Sequence, residues 1–303
     1  MPTAIRTGPY AAVVVRFIKG IAEGIATPAL SGFLANWAPP LERSRLNAIA
    51  WIGLYVGPAL GLPVSGYLVQ WVSWSAPYYL FGALGVSWYL VWLWLAFEKP
   101  STHPSISEDE KLYLKRSIGE NQSISIASVP WFKILTSLPV WAVTIAHFAN
   151  VWTLTIIAVL LPQYFHQVFA MQVDSGSALA TLPYLVAGVV QPLGGWLADL
   201  MLDKELLSAT NVRKLFTCCG FGGQVVMLLV LGVTKDSVGA AVALTVAAGS
   251  GVLAESGWDV SRLDMAPRYA AVIGSVCNGI GNGAGKAYFS INRLTQRNAA
   301  QFA

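Results

Sequence analysis

Residues Ala76–Phe97 read APYYLFGALGVSWYLVWLWLAF, a run with no charged side chain. As an α-helix rising 1.5 Å per residue, a run of this length is about 33 Å long. That matches the hydrocarbon core of a bilayer, about 30 Å thick. The run is apolar on every side and shows no period-2 alternation, so neither an amphipathic soluble helix nor a barrel strand fits it. A segment in lipid must satisfy its own backbone hydrogen bonds, which leaves a transmembrane helix.

Working outward, seven further stretches have the same character: 11–36, 46–69, 137–163, 176–200, 213–234, 238–258 and 269–291, with 76–97 as the third of eight expected spans. The 303-residue chain is 55% hydrophobic and 11% charged, against about 25% charged in a soluble domain, and its mean hydropathy is +0.57. The modest net charge of +4 does not point to a nucleic-acid partner; the lipid bilayer is the expected environment. Twelve Trp and eleven Tyr suit helix ends at the lipid–water interface. Three cysteines are too few for a disulfide framework; adjacent Cys218 and Cys219 read as core or lipid-facing residues.

One long polar stretch interrupts the spans. It carries Ser107-Glu108-Asp109-Glu110, a capping box that predicts a short helix over 108–119 outside the membrane. The expected organisation is therefore residues 1–97 with three spans, 98–136 as a linker with a short helix, 137–291 with five spans, and 292–303 as a divergent polar tail. Loops after odd-numbered spans carry Arg43, Arg45, Lys99, Lys111, Lys115, Arg116, Lys133, Lys204, Arg213, Lys214, Arg262 and Arg268; those after even-numbered spans carry Lys235. The bias places the linker in the cytoplasm. It also puts Met1 on the opposite side with no signal to send it there, from which further helices upstream are expected.

Glycines recur at four-residue intervals: Gly20 and Gly24; Gly53, Gly57 and Gly61; and Gly279 to Gly285 in alternation. The spacing predicts close helix packing, or bending helices along a pathway. Arg16, Lys19 and Glu23 share one face of the first span. Charges at membrane depth are costly and either pair with each other or line a cavity. Lys19 and Glu23 are spaced to neutralise one another; Arg16, permanently charged and able to grip a carboxylate with two bonds, is the candidate anion-binding residue. His147 lies inside the fourth span, where a packing role and a proton relay both stay open. His103 and His166 fall in loops and are expected to be solvated. Glu255 is expected at a solvated helix end. No His/Cys/acid cluster has metal-ligand spacing, and neither a Ser/His/Asp set nor a phosphate loop stands out; no cofactor and no enzyme activity are expected.

Several segments, in order, resemble one family. Arg16–Ala29 followed by Trp37-Ala-Pro-Pro-Leu-Glu-Arg-Ser-Arg45, His103–Tyr113, Pro192-Leu-Gly-Gly-Trp-Leu-Ala-Asp199, Asn211-Val-Arg-Lys214 and Leu263-Asp-Met-Ala-Pro-Arg-Tyr-Ala270 are similar to the anion:cation symporters of the major facilitator superfamily, the group of sialin, the vesicular glutamate transporters and the type I sodium–phosphate cotransporters. The resemblance implies an all-α integral membrane protein with a partial major facilitator fold. The eight spans would be family helices four to eleven, in a product truncated at both ends. It implies alternating-access transport of a small organic or inorganic anion, coupled to H+ or Na+. Arg16 and Asn150 would bind substrate, and Glu23 and His147 would handle the coupling proton. Glu42 with Arg43, Asp199 with Arg213, and Asp264 with Arg268 would form intracellular gate pairs. Two departures stand out: Lys19 replaces an acid, and Asn150 replaces an arginine of the glutamate transporters, which leaves sialin-like or phosphate-like substrates open. A non-transporting isoform or regulatory membrane partner of a full-length carrier is the alternative.

Overall fold

The computed structural model describes residues 8–118, 129–169 and 173–283 with positions 2 and 285, and only the backbone of 158–169 and 173–180. Its long elements are all helical: α1 (Pro9–Trp37), α2 (Arg43–Trp51), α3 (Gly53–Trp71), α4 (Ala76–Leu95), α5 (Glu108–Ile118), α6 (Trp131–Leu135), α7 (Leu138–Phe169), α8 (Val173–Asp203), α9 (Ala209–Val233), α10 (Ser237–Met265) and α11 (Ala270–Gly281).

A helix stands at each of the eight expected spans. Six are long and apolar enough to cross a membrane: Arg43–Trp71 (α2 and α3 run on through Ile52), Ala76–Leu95, Leu138–Ile157, Thr181–Asp203, Ala209–Val233 and Ser237–Met265. Helix α1 is long enough but carries Arg16, Lys19 and Glu23. The structure follows the eighth as a continuous helix to Gly281. The tail 292–303, Lys286 and the side chain of His166 lie outside the described residues.

The apolar surface is arranged for lipid. Helix α4 buries none of its residues, and Trp88, Leu93 and Trp94 are exposed on it. Water would make that arrangement untenable; hydrocarbon makes it neutral. At the other extreme, α10 is buried along most of its length by small residues, Ala240, Ala243, Ala247, Gly251 and Ala254 among them. These let α7, α8 and α9 pack closely around it. A Cβ on Gly220 of α9 would stand 2.5 Å from the backbone nitrogen of Ala254. The Asp236 carboxylate caps α10, accepting from the Gly239 N–H at 2.6 Å.

Of the glycines that the spacing singles out, Gly281 makes a close approach; the other tight contacts fall at glycines outside those series. Gly20, Gly24, Gly53, Gly57, Gly279 and Gly283 face open space, whereas Gly188, Gly194, Gly195, Gly220, Gly257 and Gly281 are pressed against neighbouring helices. Spacing along one helix says where a partner could come close; which face receives one is decided by the rest of the bundle.

In the linker, the Ser107 hydroxyl accepts from the Glu110 N–H at 3.2 Å and caps α5 as expected. The start of the linker is tied to the end of α1: the Trp37 indole N–H donates to the Phe97 carbonyl at 3.0 Å, and Asn36 donates to that of Glu98 at 3.2 Å. His103 is packed rather than solvated, its ring 4.8 Å from Phe97 and 5.8 Å from Trp37. Aromatic side chains at the mouth of the linker offered it an apolar seat.

Candidate transport site: a polar seam between the two helix groups

The helices before the linker (α1–α4) meet those after it (α7–α11) mainly along α2–α3 against α8 and α10, and along α1 against α11. The first seam is polar, and its buried side chains form three layers. They start at the end of the bundle nearest the linker.

In the first layer, Asp264 at the end of α10 bridges two arginines. Arg43 Nη1 donates to Oδ1 at 3.2 Å, and Arg213 Nε donates to Oδ2 at 2.8 Å. Arg43 also donates to the carbonyls of Leu263 (3.1 Å) and Ala38 (3.3 Å), and Arg213 to the Ser44 hydroxyl (2.7 Å) and the Ser256 carbonyl (3.2 Å). Asp199 of α8 sits at the start of α2 and accepts from the backbone N–H groups of Ser44 (3.1 Å) and Arg45 (2.7 Å). A carboxylate from one helix group thus caps a helix of the other, where free N–H groups and the helix dipole both favour a negative charge.

In the second layer, Asn47 of α2 donates to Asp259 of α10 at 2.8 Å. Asp259 also pairs with Arg262 one turn on. Arg262 lies over the Trp258 ring, which packs edge-on against His147 of α7 at 5.2 Å. His147 Nδ1 is buried without a hydrogen-bond partner.

In the third layer, Glu255 of α10 accepts from the Tyr55 hydroxyl of α3 at 2.5 Å and from the Asn150 amide of α7 at 2.8 Å. Beyond it, away from the linker, a small cavity of about 10 Å³, room for a single water, is bordered by Tyr55, Asn150, Tyr184 and Gln224.

The structure therefore brings together Arg43, Asp199, Arg213 and Asp264 in one layer, and Asn150 and His147 in the two behind it. It does not form the gate pairs as expected. Glu42 pairs instead with Arg45 at 3.0 Å, one turn along its own helix. Arg268 is exposed over the Tyr269 ring and does not reach Asp264. The i, i+4 reading of Asp264 and Arg268 needs a continuous helix, and α10 ends at Met265, followed by a 3₁₀ turn at Pro267–Tyr269. Asp199 and Arg213 meet through Ser44 rather than directly. Arg16 and Glu23 are exposed on α1, with Lys19 and Glu23 paired at 3.3 Å; none of the three joins a bond of the seam. Glu255 is buried, not solvated, because α10 continues ten residues beyond it.

Residues Ser44, Asn47, Tyr55, Asp259 and Arg262 were not expected. A signal for them exists in the sequence: Glu255, Asp259 and Arg262 recur at i, i+4 and i+7, a polar stripe along an otherwise small and apolar helix. Such a stripe at membrane depth must face another polar surface.

The family model of the Major Facilitator Superfamily matches residues 3–288. The chain belongs to that superfamily. Among curated proteins it is similar to vesicular glutamate transporter 1 of Xenopus tropicalis (39% identical over 285 residues, 93% of this chain and 50% of the relative). It is likewise similar to the probable vesicular glutamate transporter eat-4 of Caenorhabditis elegans (42% over 278 residues, 91% and 48%). Vesicular glutamate transporter 2 of Homo sapiens is 38% identical over 285 residues, 93% of this chain and 49% of the relative. These relatives fall in the anion-transporter group that the motifs resemble. The chain spans about half the length of the curated relatives it matches, and with its apolar helices it is a multi-pass integral membrane protein.

Proposed function

We propose that this segment belongs to an alternating-access carrier of small organic or inorganic anions, glutamate-, sialic-acid- or phosphate-like, driven by H+ or Na+. The observation that carries the reading is the seam itself: paired charges hold the two helix groups together at one end, with further layers of buried polar side chains behind them. Alternating access needs such a contact, because it must close one side and be broken to open it. Arg43, Asp264, Arg213 and Asp199 act as the gate on the linker side, which the basic loops place in the cytoplasm. The cavity bounded by Tyr55, Asn150, Tyr184 and Gln224, closed in this conformation to about one water, widens to receive substrate when the two helix groups part. Arg16 and Glu23, on the exposed face of α1, serve anion binding and proton coupling; His147 has the free nitrogen a proton relay needs.

The test is uptake by the purified full-length protein in liposomes, with glutamate, sialic acid and inorganic phosphate offered under proton and sodium gradients in turn. Saturable uptake of one anion supports the reading, and Arg16→Ala should abolish it. Normal transport by Arg16→Ala would remove Arg16 from the site.

A further inference from the structure

The third layer contains a carboxyl group that the gate does not use. Glu255 is 6% exposed and lies ten residues from the end of α10, about 15 Å into the bundle. Among the described residues, no arginine or lysine pairs with it. Its recorded partners are neutral: Tyr55 and Asn150 both donate to Oε1, and the fully buried Gln191 stands beside it. Gln191 Oε1 has no hydrogen-bond partner. A carboxylate buried among neutral partners alone is costly, and a proton on Glu255 removes that charge. A sodium ion fits less well, since the amide and hydroxyl facing Oε1 present hydrogens, whereas Na+ needs converging oxygens.

The other ionisable groups of the packed elements are already engaged or lie nearer the linker. Asp259, one turn along α10, is held by Arg262 and Asn47. His147 of α7, Arg43 of α2, Asp199 of α8, Arg213 of α9 and Cys277 of α11 belong to the two layers below or border them; Tyr184 of α8 borders the space above.

We propose that the Tyr55–Glu255–Asn150 layer is a proton-binding site, with Glu255 as the carrier. It is distinct from Glu23, which is about two-thirds exposed and paired with Lys19. The inference rests on the transport reading above. Tyr55 comes from the helices before the linker, Glu255 and Asn150 from those after it, so parting the two groups breaks the Tyr55–Glu255 bond. The carboxyl then meets water from one side, takes up or releases a proton there, and is sealed again when the groups close.

The test has two arms on the purified full-length protein in lipid. Infrared difference spectra across a pH titration should show a buried, protonated carboxyl band in the wild type that is absent in Glu255→Gln and displaced in Tyr55→Phe. Identical carboxyl spectra in wild type and Glu255→Gln would overturn the proposal, whether or not the protein transports. Should Glu255→Gln fail to fold, an unmoved band in Tyr55→Phe overturns it equally. In the second arm, Glu255→Gln should keep anion-for-anion exchange and lose net proton movement per anion; an unchanged proton-to-anion ratio sinks the carrier role. Absence of any anion uptake by the wild type would sink the transport reading, and the spectra would still decide whether Glu255 binds a proton.

Discussion

Replacing Asp264 by Asn should loosen the linker end of the seam. The carboxylate takes bonds from Arg43 at 3.2 Å and Arg213 at 2.8 Å, and its side chain is 25% exposed. Removing one partner of a buried ion pair costs about 3–5 kcal/mol, because the remaining charge is stranded. Here two guanidiniums are left, but both keep carbonyl or hydroxyl acceptors, and the partial exposure screens the loss. About 2 kcal/mol is the resulting lower figure, and at 1.4 kcal/mol per tenfold it shifts a closed–open equilibrium roughly 30-fold toward open. Hydrogen exchange of the purified protein in lipid nanodiscs reads this directly. The N–H groups of Ser44 and Arg45 are protected through Asp199 across the seam, so their exchange should accelerate by about that factor. The first turns of α10, far from the seam's linker end, should stay unchanged. An α2 exchange rate within about twofold of wild type would refute the view that Asp264 holds the two helix groups together.

Three further outcomes follow from the same geometry. Gly195→Ala places a Cβ 2.5 Å from the Ser44 carbonyl and 2.8 Å from the Ala48 side chain; the overpacking, about 1–3 kcal/mol, should accelerate α2 exchange, whereas Gly220→Ala, which presses on Ala254 within the second helix group, should lower thermal stability without that signature. Asp259→Asn strands Arg262, which is 2% exposed, and should cost about 3–5 kcal/mol in thermal or denaturant unfolding, partly recovered by adding Arg262→Leu. Asp199→Ala removes the cap of α2 and should cost about 1–2 kcal/mol, seen as faster exchange confined to Ser44 and Arg45 with Asp264 intact.

The helices were legible because the bilayer imposes one rule on length and polarity, and Ala76–Phe97 satisfies it residue by residue. The α5 cap was legible for a similar reason, since Ser107 and Glu110 are three positions apart and need no distant partner. The charged members of the seam's first layer were legible, Arg43, Asp199, Arg213 and Asp264, but not their pairing, and Asn47, Tyr55, Asp259 and Arg262 were missed. The bonds that matter join residues 51 to 221 positions apart, while sequence reasoning reached for the neighbours Arg268 and Glu42. Glu255 was misjudged from its nearness to the expected end of a span at 258. The helix runs on to Met265 because Asp259 and Arg262 neutralise each other inside the bundle and remove the reason to stop.

The most direct measurement uses a cross-link between the two helix groups. Gly32→Cys and Ala271→Cys, in full-length protein with Cys218 and Cys219 replaced by serine, bring their Cβ atoms to 3.4 Å across the α1–α11 contact between the same two helix groups, near the separation a disulfide spans. Oxidation should lock the linker end shut and stop anion uptake in liposomes, and reduction should restore it. Uptake that continues at the reduced rate while the disulfide is intact would contradict the claim that the two helix groups part during transport.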